Sequence, residues 1–169
     1  MKKTAYRIKR LTEEAEAARV VDFFLSDASF DDTRHTPGEL VHFRTNPFKA
    51  LQGEYCFWIA QNEQGDIVGV NSLLPNEQQT GGYYWDYVVV HRACRQSGIA
   101  AGLIDEMLAF LQKARARYVI TYTCDLEAYD PIRKLFERRG FVQIGRCPDY
   151  YFDGEDRLIY YLKLTESGV

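Results

Sequence analysis

The sequence lacks the long hydrophobic run that a membrane-spanning helix requires. No apolar stretch in its 169 residues approaches the roughly 18 residues needed to cross a bilayer. The N-terminal segment MKKTAYRIKR is basic, but no apolar segment follows it as one would in a secretory signal. We therefore expect a cytoplasmic protein without a membrane partner.

An excess of positive charge is also missing. The 21 Lys and Arg residues are outweighed by 24 Asp and Glu residues, and the net charge is −3. Nucleic-acid-binding proteins usually present a basic face, so this balance argues against a nucleic-acid partner. Hydrophobic residues make up 46% of the chain, which is enough for a full core. We expect a single folded domain over residues 1–169.

Cysteine is scarce and shows no metal-site spacing. The chain has four cysteines, and none of them forms a CxxC pair or lies near a histidine at ligand spacing. We expect no metal ion, and we expect free thiols in a reducing compartment.

Nucleotide-binding fingerprints are absent as well. The string GxxxxGK[ST], which forms a P-loop, does not occur. A dinucleotide fold carries GxGxxG on its first strand–helix turn. The Gly-containing loop of interest here, at residues 95–100, follows the fourth predicted strand and lacks the first glycine. ATP and NAD are therefore poor candidates for its ligand.

Strand-like and helix-like hydrophobic patterns alternate along the chain. Strands are predicted at residues 4–11, 54–61, 67–74, 83–90, 118–124, 141–147 and 157–164, and helices at residues 13–25, 39–43, 100–116 and 131–139. The strand–helix–strand segment at residues 83–124 implies a right-handed crossover with parallel pairing. The expected fold class is α/β of the mixed α+β kind, with a central mixed β-sheet and helices on both faces.

The loop at residues 95–100 has the features of an anion site. It joins an aromatic, β-branched strand to a helix and contains Gly98. The first N–H groups of a helix have no intrahelical partner and carry the positive end of the macrodipole. Arg95 adds a positive charge, so the loop is expected to hold a pyrophosphate.

Two short motifs resemble those of one family, the GCN5-related N-acetyltransferases (GNAT). The segment RQSGIA at residues 95–100 resembles that family's acyl-CoA loop, Q/R-x-x-G-x-G/A, which follows a strand ending in Val. The segment LFERRGF at residues 135–141 resembles its second signature, in which a helix ends in Leu-Tyr-x-Lys-x-Gly-Phe. The order of predicted elements is similar over nearly the whole chain. The resemblance implies an acyl-CoA N-acyltransferase fold.

The resemblance also implies acetyl-CoA as the cosubstrate. The loop amides would bind its pyrophosphate, and two strand residues would offer backbone groups to the pantetheine arm between strands 83–90 and 118–124. Tyr129 stands where relatives usually have an Asn near the pantetheine. The implied cosubstrate-binding residues are Val88, Val90, Arg95, Gln96, Ser97, Gly98, Ile99, Ala100 and Tyr129.

The implied reaction is direct transfer of an acetyl group to a primary amine in a ternary complex. Asp86 matches the place where family members often carry a catalytic base, and an acid among Tyr84, Trp85 and Tyr87 is expected to have a raised pKa. The alternative role of Asp86 is structural, as a carboxylate bonded to a nearby hydroxyl or amide.

The general acid is less well defined. The second signature has Phe136 where the family often has a Tyr acid, although a thiol pKa near 8.5 makes the thiolate a fair leaving group without one. Tyr129 lies two helical turns before Phe136, so it does not simply take its place. Tyr129 and Tyr151, with Tyr150 beside the latter, are the candidates, and the alternative for each is packing. Phe136 also keeps open a non-catalytic acyl-CoA-binding module of the same fold.

Two acidic patches bear on the acceptor. In the related fold the regions that carry them border the acceptor cleft, which favours a small cationic amine; solvated loops and a protein amine are the alternatives. The final strands, rich in tyrosine, could pair edge to edge in a homodimer. The acidic residues are Asp27, Asp31, Asp32, Asp149, Asp153, Glu155 and Asp156.

Overall fold

Residues 5–31 and 34–164 are described by the structure, a computed structural model. Thr4 of the first predicted strand and Asp32 of the first acidic patch lie outside the described residues. The strands are β1 (Tyr6–Arg10), β2 (Cys56–Asn62), β3 (Ile67–Pro75), β4 (Gly82–Val90), β5 (Tyr118–Cys124), β6 (Val142–Phe152) and β7 (Glu155–Lys163). The α-helices are α1 (Glu14–Phe24), α2 (Pro37–Lys49), α3 (Ile99–Lys113) and α4 (Asp130–Arg138).

The strands form a seven-stranded mixed sheet in the order β1-β2-β3-β4-β5-β7-β6. β4 pairs in parallel with β5, as the predicted crossover through α3 requires. The pairs β1–β2, β2–β3, β5–β7 and β6–β7 are antiparallel. The predicted mixed α/β fold is confirmed. None of the helices in the described part of the chain is long and apolar enough to cross a membrane.

The chain divides into two compact units, the first made of residues up to 74 together with 87–111. Its core is an aromatic cluster between α1, α2 and strands β2–β4. Phe24 is 1% exposed, and its ring centroid lies 5.3 Å from that of Phe43 and 5.8 Å from that of Tyr87. Each such ring removes a large apolar area from water, so this cluster is the main stabilising feature of the unit.

The start of α3 packs closely on β3 in the same unit. A Cβ atom on Gly69 would lie 2.7 Å from Ile99 Cγ2 and 3.0 Å from Leu103 Cδ1, and both of those side chains are buried. The side-chain amide of Asn71 donates to the Leu103 carbonyl over 3.2 Å. Glycine at position 69 therefore sets the height of the α3 N-terminus above the strand, and with it the position of the preceding loop.

We expect Gly69→Ala to destabilise the protein. The new methyl group overlaps two packed side chains, and overpacking of this kind costs about 1–3 kcal/mol. Chemical denaturation should show a lower midpoint with an unchanged slope. The matched control is Gly38→Ala in α2, where the nearest atom to a new Cβ lies at 4.0 Å, so stability should be equal or slightly higher. Equal stability of the two variants would contradict the close approach.

The second unit consists of residues 75–86 together with those from 112 onward. Its core is a second aromatic cluster. The ring centroid of Phe136 lies 5.1 Å from Trp85, 5.7 Å from Phe141 and 5.3 Å from Tyr160. Phe136 is 3% exposed, so the family's tyrosine position is here a packed core position.

Helix α2 is longer than the sequence predicts. The prediction ended a short helix before Asn46-Pro47, whereas α2 continues through Pro47 to Lys49. A capping box fixes its start, because Glu39 N–H donates to Thr36 Oγ1 over 3.1 Å and Thr36 N–H donates to Glu39 Oε2 over 2.7 Å. Burial of Asn46 and Pro47 then outweighs the local tendency of proline to end a helix.

Strand β6 is also longer than predicted. The sequence favoured a loop at residues 148–156, but β6 continues to Phe152 and turns tightly into β7 at Asp153-Gly154. The β6–β7 register shifts between Cys147 and Phe152, and Asp149 has a φ of 53° within this bulge. A bulge accommodates proline and left-handed residues inside a paired strand, which the local turn signals do not reveal.

Candidate active site

The loop after β4 is held in the first unit by backbone bonds to two other segments. His91 N–H donates to the Val68 carbonyl over 2.9 Å, and Arg92 N–H donates to the Ala28 carbonyl over 2.7 Å. Gln96 and Gly98 have φ values of 61° and 87°. Two left-handed residues separated by one position curl the chain sharply before the helix begins.

The curled segment ends at the N-terminus of α3. Gly102 N–H donates to the Gly98 carbonyl over 3.0 Å, so the N–H groups of residues 99–101 precede the first helical hydrogen bond. Tyr6 O–H donates to the same Gly98 carbonyl over 3.1 Å, and Ser97 O–H donates to the Cys94 carbonyl. Gly98 is exposed. This arrangement presents a row of backbone donors at the positive end of a helix, which suits an anion such as a pyrophosphate.

Arg95 differs from its expected role. Its Nη1 lies 2.8 Å from both carboxylate oxygens of Asp31, and its Nη2 donates to the Ser29 carbonyl over 3.0 Å. Arg92 Nη2 donates to the Phe30 carbonyl over 2.8 Å. The Arg95 charge is therefore largely committed to Asp31, and both arginines tie the loop to the segment between α1 and α2. In this structure the Arg95 guanidinium holds the loop against Ser29 and Asp31.

We expect Asp31→Asn to weaken cosubstrate binding rather than acceptor binding. Removing the carboxylate releases Arg95 and loosens the loop, but the pair is more than a third exposed, so the effect is at most about 1 kcal/mol, roughly fivefold in affinity. Titration with CoA should show a higher Kd than that of the wild type. Asp27→Asn, an exposed neighbour, is the control. A raised acceptor KM with unchanged CoA affinity would contradict this assignment.

In the second unit, Asp86 lies near tyrosines from three strands, β4, β5 and β6, and near Arg157 of β7. The Tyr84 and Tyr122 ring centroids are 5.0 Å apart. Burial is the largest cause that raises the pKa of Tyr84, and the charge of Asp86 is the second. Arg157 lowers this pKa, and Tyr151 raises it further. The Tyr84 hydroxyl therefore stays protonated at neutral pH as a donor. Asp86 and Tyr151, two of the three predicted catalytic residues, both lie near enough to Tyr84 to raise its pKa.

The remaining predicted residues lie at the start of α4 and in the second part of β4. Tyr129 ends a 3-10 turn and directly precedes α4. Val88 and Val90 are half-buried in the second part of β4. The register of β4 with β5 pairs Gly82–Trp85 with Tyr118–Thr121, which precede both valines. Tyr87 N–H donates to the buried Ser72 hydroxyl over 3.1 Å, so a side chain takes the place of a ladder bond there.

Two of the four acidic residues of the second patch, Asp149 and Asp156, stabilise the β6–β7 hairpin. Arg146 pairs with Asp125 and Asp156. The Asp149 N–H and the Arg146 guanidinium lower the pKa of the Asp156 carboxyl, and Asp149 Oδ1 accepts the Gly154 N–H over 2.6 Å. These contacts do not support an open acidic patch. In residues 5–31 and 34–164, no group of three or more His, Cys, Asp or Glu side chains could hold a metal ion.

Tyr84 is expected beside Asp86 from the sequence, whereas Tyr122 and Arg157 are not predicted there. Period-2 alternation along β4 was enough to place Tyr84 on the side of Asp86. Arg157 lies in the apolar run RLIYYLKL, where an inward cation is unusual, but its stacking on Tyr122 depends on the pairing of β5 with β7. The sequence of neither strand alone predicts that pairing.

Fold and loop together define an acyl-CoA type of transferase. The sequence profile of the Acetyltransferase (GNAT) family matches residues 17–141, and the chain belongs to this family. It is accordingly an acyltransferase of the N-acetyltransferase type. The family uses acetyl-CoA. A search of the curated proteins finds no match.

Solved structures with the same fold cover almost the whole chain. A protein from Desulfovibrio desulfuricans, provisionally assigned as a GNAT-family acetyltransferase, is 24% identical with a TM-score of 0.79, covering 94% of this chain and 99% of its own. The ribosomal-protein-S18-alanine N-acetyltransferase of Escherichia coli is 15% identical with a TM-score of 0.76, covering 97% of both chains. A chain of the NatC complex bound to Gag peptide and CoA is 19% identical with a TM-score of 0.73, covering 95% and 99%. At these identities the likeness extends to the fold alone.

Proposed function

We propose that the protein transfers the acetyl group of acetyl-CoA directly to a primary amine in a ternary complex. The observation that carries the proposal is the curled loop at residues 95–100, with left-handed Gln96 and Gly98 ahead of the α3 N-terminus. It lies inside the segment that matches the acetyltransferase family.

The loop fits the pyrophosphate of acetyl-CoA chemically. Backbone amides of residues 96–100 supply neutral donors at the positive end of a helix, and exposed Gly98 allows close approach because it has no side chain. Val88 and Val90 follow the paired part of β4, and their backbone groups are proposed to bind the pantetheine amides. Arg95 keeps the loop in place through Asp31. Tyr129 is proposed to contact the pantetheine arm.

Asp86 is the proposed general base. It takes a proton from the acceptor ammonium, and the neutral amine attacks the thioester carbon. A new N–C bond forms, the tetrahedral oxyanion is stabilised by a backbone N–H, and the C–S bond then breaks to release the CoA thiolate. The second amine proton is available to that thiolate, so the products are the acetamide and CoA.

Tyr151 and Tyr129 are the proposed routes for the proton that reaches the thiolate. Support for Tyr151 is that it lies near enough to Tyr84 to influence its pKa, as Asp86 does. Phe136 is a buried core residue, so no acid is available at the family's usual position. A thiol pKa near 8.5 means that the reaction can proceed with solvent as the proton source.

A small cationic metabolite is the acceptor that the sequence favours. The structure reduces the number of acidic residues that could bind it. Asp31, Asp149, Glu155 and Asp156 have partners within the protein, so among the described residues of the two patches exposed Asp27 and Asp153 are open to such a molecule. A small molecule with a primary amine remains the proposal, and a protein amine is the alternative.

Thiol release from acetyl-CoA in the presence of a panel of amines tests the proposal. Amine-dependent release, with a stoichiometric acetamide product, supports it. Binding of CoA without release for any amine favours the non-catalytic acyl-CoA-binding module instead. Absence of CoA binding contradicts both.

The cellular compartment and the oligomeric state of the protein are each proposed on one observation. Its four cysteines are free, which suits a reducing cytoplasm. β6 lies at the end of the strand order and exposes Val142 and Ile144, each 56% exposed, which suits edge-to-edge pairing in a homodimer. Molar mass in solution, measured by light scattering, tests the dimer.

A further inference from the structure

An arginine of the second unit is stacked on tyrosines and has no anionic partner. Arg157 lies on β7, opposite Cys124 of β5 and Cys147 of β6. Its guanidinium carbon is 3.3 Å from the centroid of the Tyr122 ring and 4.4 Å from that of Tyr150. Its Nε is buried without a hydrogen-bond partner, and within the described residues it joins no ion pair. The side chain is therefore held in place, but its Nε has no hydrogen-bond partner.

Two other arginines of this unit do have anionic partners. Arg146 binds two carboxylates, and Arg133 binds two backbone carbonyls and pairs with Asp130. A guanidinium nitrogen that is shut off from water without a partner carries an unfavourable free energy, which stacking on tyrosine offsets only in part. Arginine cannot relieve this by losing its proton. An external carboxylate would balance the charge of the guanidinium, since the planar fork of arginine matches carboxylate oxygens.

Arg157 and Asp86 act on the same hydroxyl with opposite charges. The Tyr84 O–H is influenced by both residues, and the Tyr84 ring packs on Tyr122, the ring that carries Arg157. A negative and a positive group thus flank one aromatic patch. A ligand that complements this pattern has an amine at one end and an anion at the other.

We propose that Arg157 binds a carboxylate of the acceptor, and that the acceptor is a small amino acid with a free carboxylate. The proposal rests on the proposed function for the Asp86 end of the molecule. A polyamine would bring a second cation to Arg157, and a peptide N-terminus presents an amide where the carboxylate is required. Arg157 is thereby the residue that determines acceptor class.

The test compares free amino acids with their C-terminal amides, which differ in the carboxylate alone. Thiol release with acetyl-CoA should favour the free acids by about 10- to 100-fold in kcat/KM, the effect of a charged hydrogen-bonded pair. Arg157→Gln should abolish that preference by raising KM for the acids while leaving the amides unchanged, and Arg157→Lys should restore part of it. Arg117→Gln, which loses a bond to the Thr80 carbonyl, is the control and should keep the preference.

Binding is measured in parallel, by the thermal shift that each acid and amide produces with CoA present and absent. Stabilisation by acids and not amides, lost in Arg157→Gln, supports the carboxylate site even if no acetyl transfer occurs, in which case the proposed function fails alone. Equal use of amides, peptides or polyamines by the wild type, or no binding of any free acid, overturns the proposal. An equal loss for acids and amides in Arg157→Gln and Arg157→Lys also overturns it and assigns Arg157 to packing.

Discussion

Gly98→Glu should abolish acetyl-CoA binding. Gly98 has a φ of 87°, which a residue with a side chain adopts with strain of about 1–3 kcal/mol, and the new carboxylate would lie where the pyrophosphate is proposed to bind. Loss of charged hydrogen bonds worth about 1.5–3 kcal/mol each should reduce affinity at least about 100-fold. The wild type, at CoA concentrations 100 times Kd, should gain about 2.7 kcal/mol. For a protein of this size that is a Tm increase of roughly 5–10 °C.

Gly53→Glu is the matched control for this experiment. Gly53 has a φ of 83° and open space around its Cα, so the substitution adds the same charge and similar backbone strain away from the loop. Both variants should lose similar stability without ligand, but Gly53→Glu alone should keep the full increase in Tm with CoA. A normal shift in Gly98→Glu would remove the loop from the binding site. A shift with NAD or ATP instead would contradict the family's cosubstrate.

The parts of the fold that the sequence predicts well are those determined by local signals. The loop at residues 95–100 was recognised because a β-branched strand, a glycine and an apolar helix follow one another directly. The lengths of α2 and β6 were wrong because Pro47 and Pro148 are local signals for an end, whereas a capping box, burial and a bulge decide the outcome. Tertiary context outweighs propensity at both places.

In the candidate site, too, local features can be predicted from the sequence and contacts between distant segments cannot. Asp86 is predictable from its place on a strand, but its neighbours come from strands far apart in sequence. The sequence predicts Arg95 as a phosphate ligand because it places a positive charge in the loop. It does not indicate the partner Asp31, which lies 64 positions away. Pairing of charges between distant segments has no local signature, so the assignment of free and committed charges required the structure.

Asp86→Asn should lower kcat by about 100-fold or more at neutral pH, the usual effect of removing a general base. The variant keeps the size and hydrogen-bonding capacity of the side chain but cannot accept the ammonium proton. Its defect should shrink as pH rises toward the pKa of the acceptor amine, because the amine then loses its proton to water. The increase in Tm with CoA should be unchanged. Steady-state kinetics over a pH series measure both effects.

Two further variants separate catalysis by Asp86 from a structural role. Asp86→Glu keeps a carboxylate and should recover part of kcat, whereas Asp22→Asn, at an exposed position of α1, should behave as the wild type. If Asp86 were structural, its loss would lower Tm and reduce the rate equally at every pH, and high pH would not rescue it. A pH-independent defect with lowered Tm would therefore move the base to another residue. A defect confined to low pH assigns the proton to Asp86, because removing a base changes the rate only while the amine needs one.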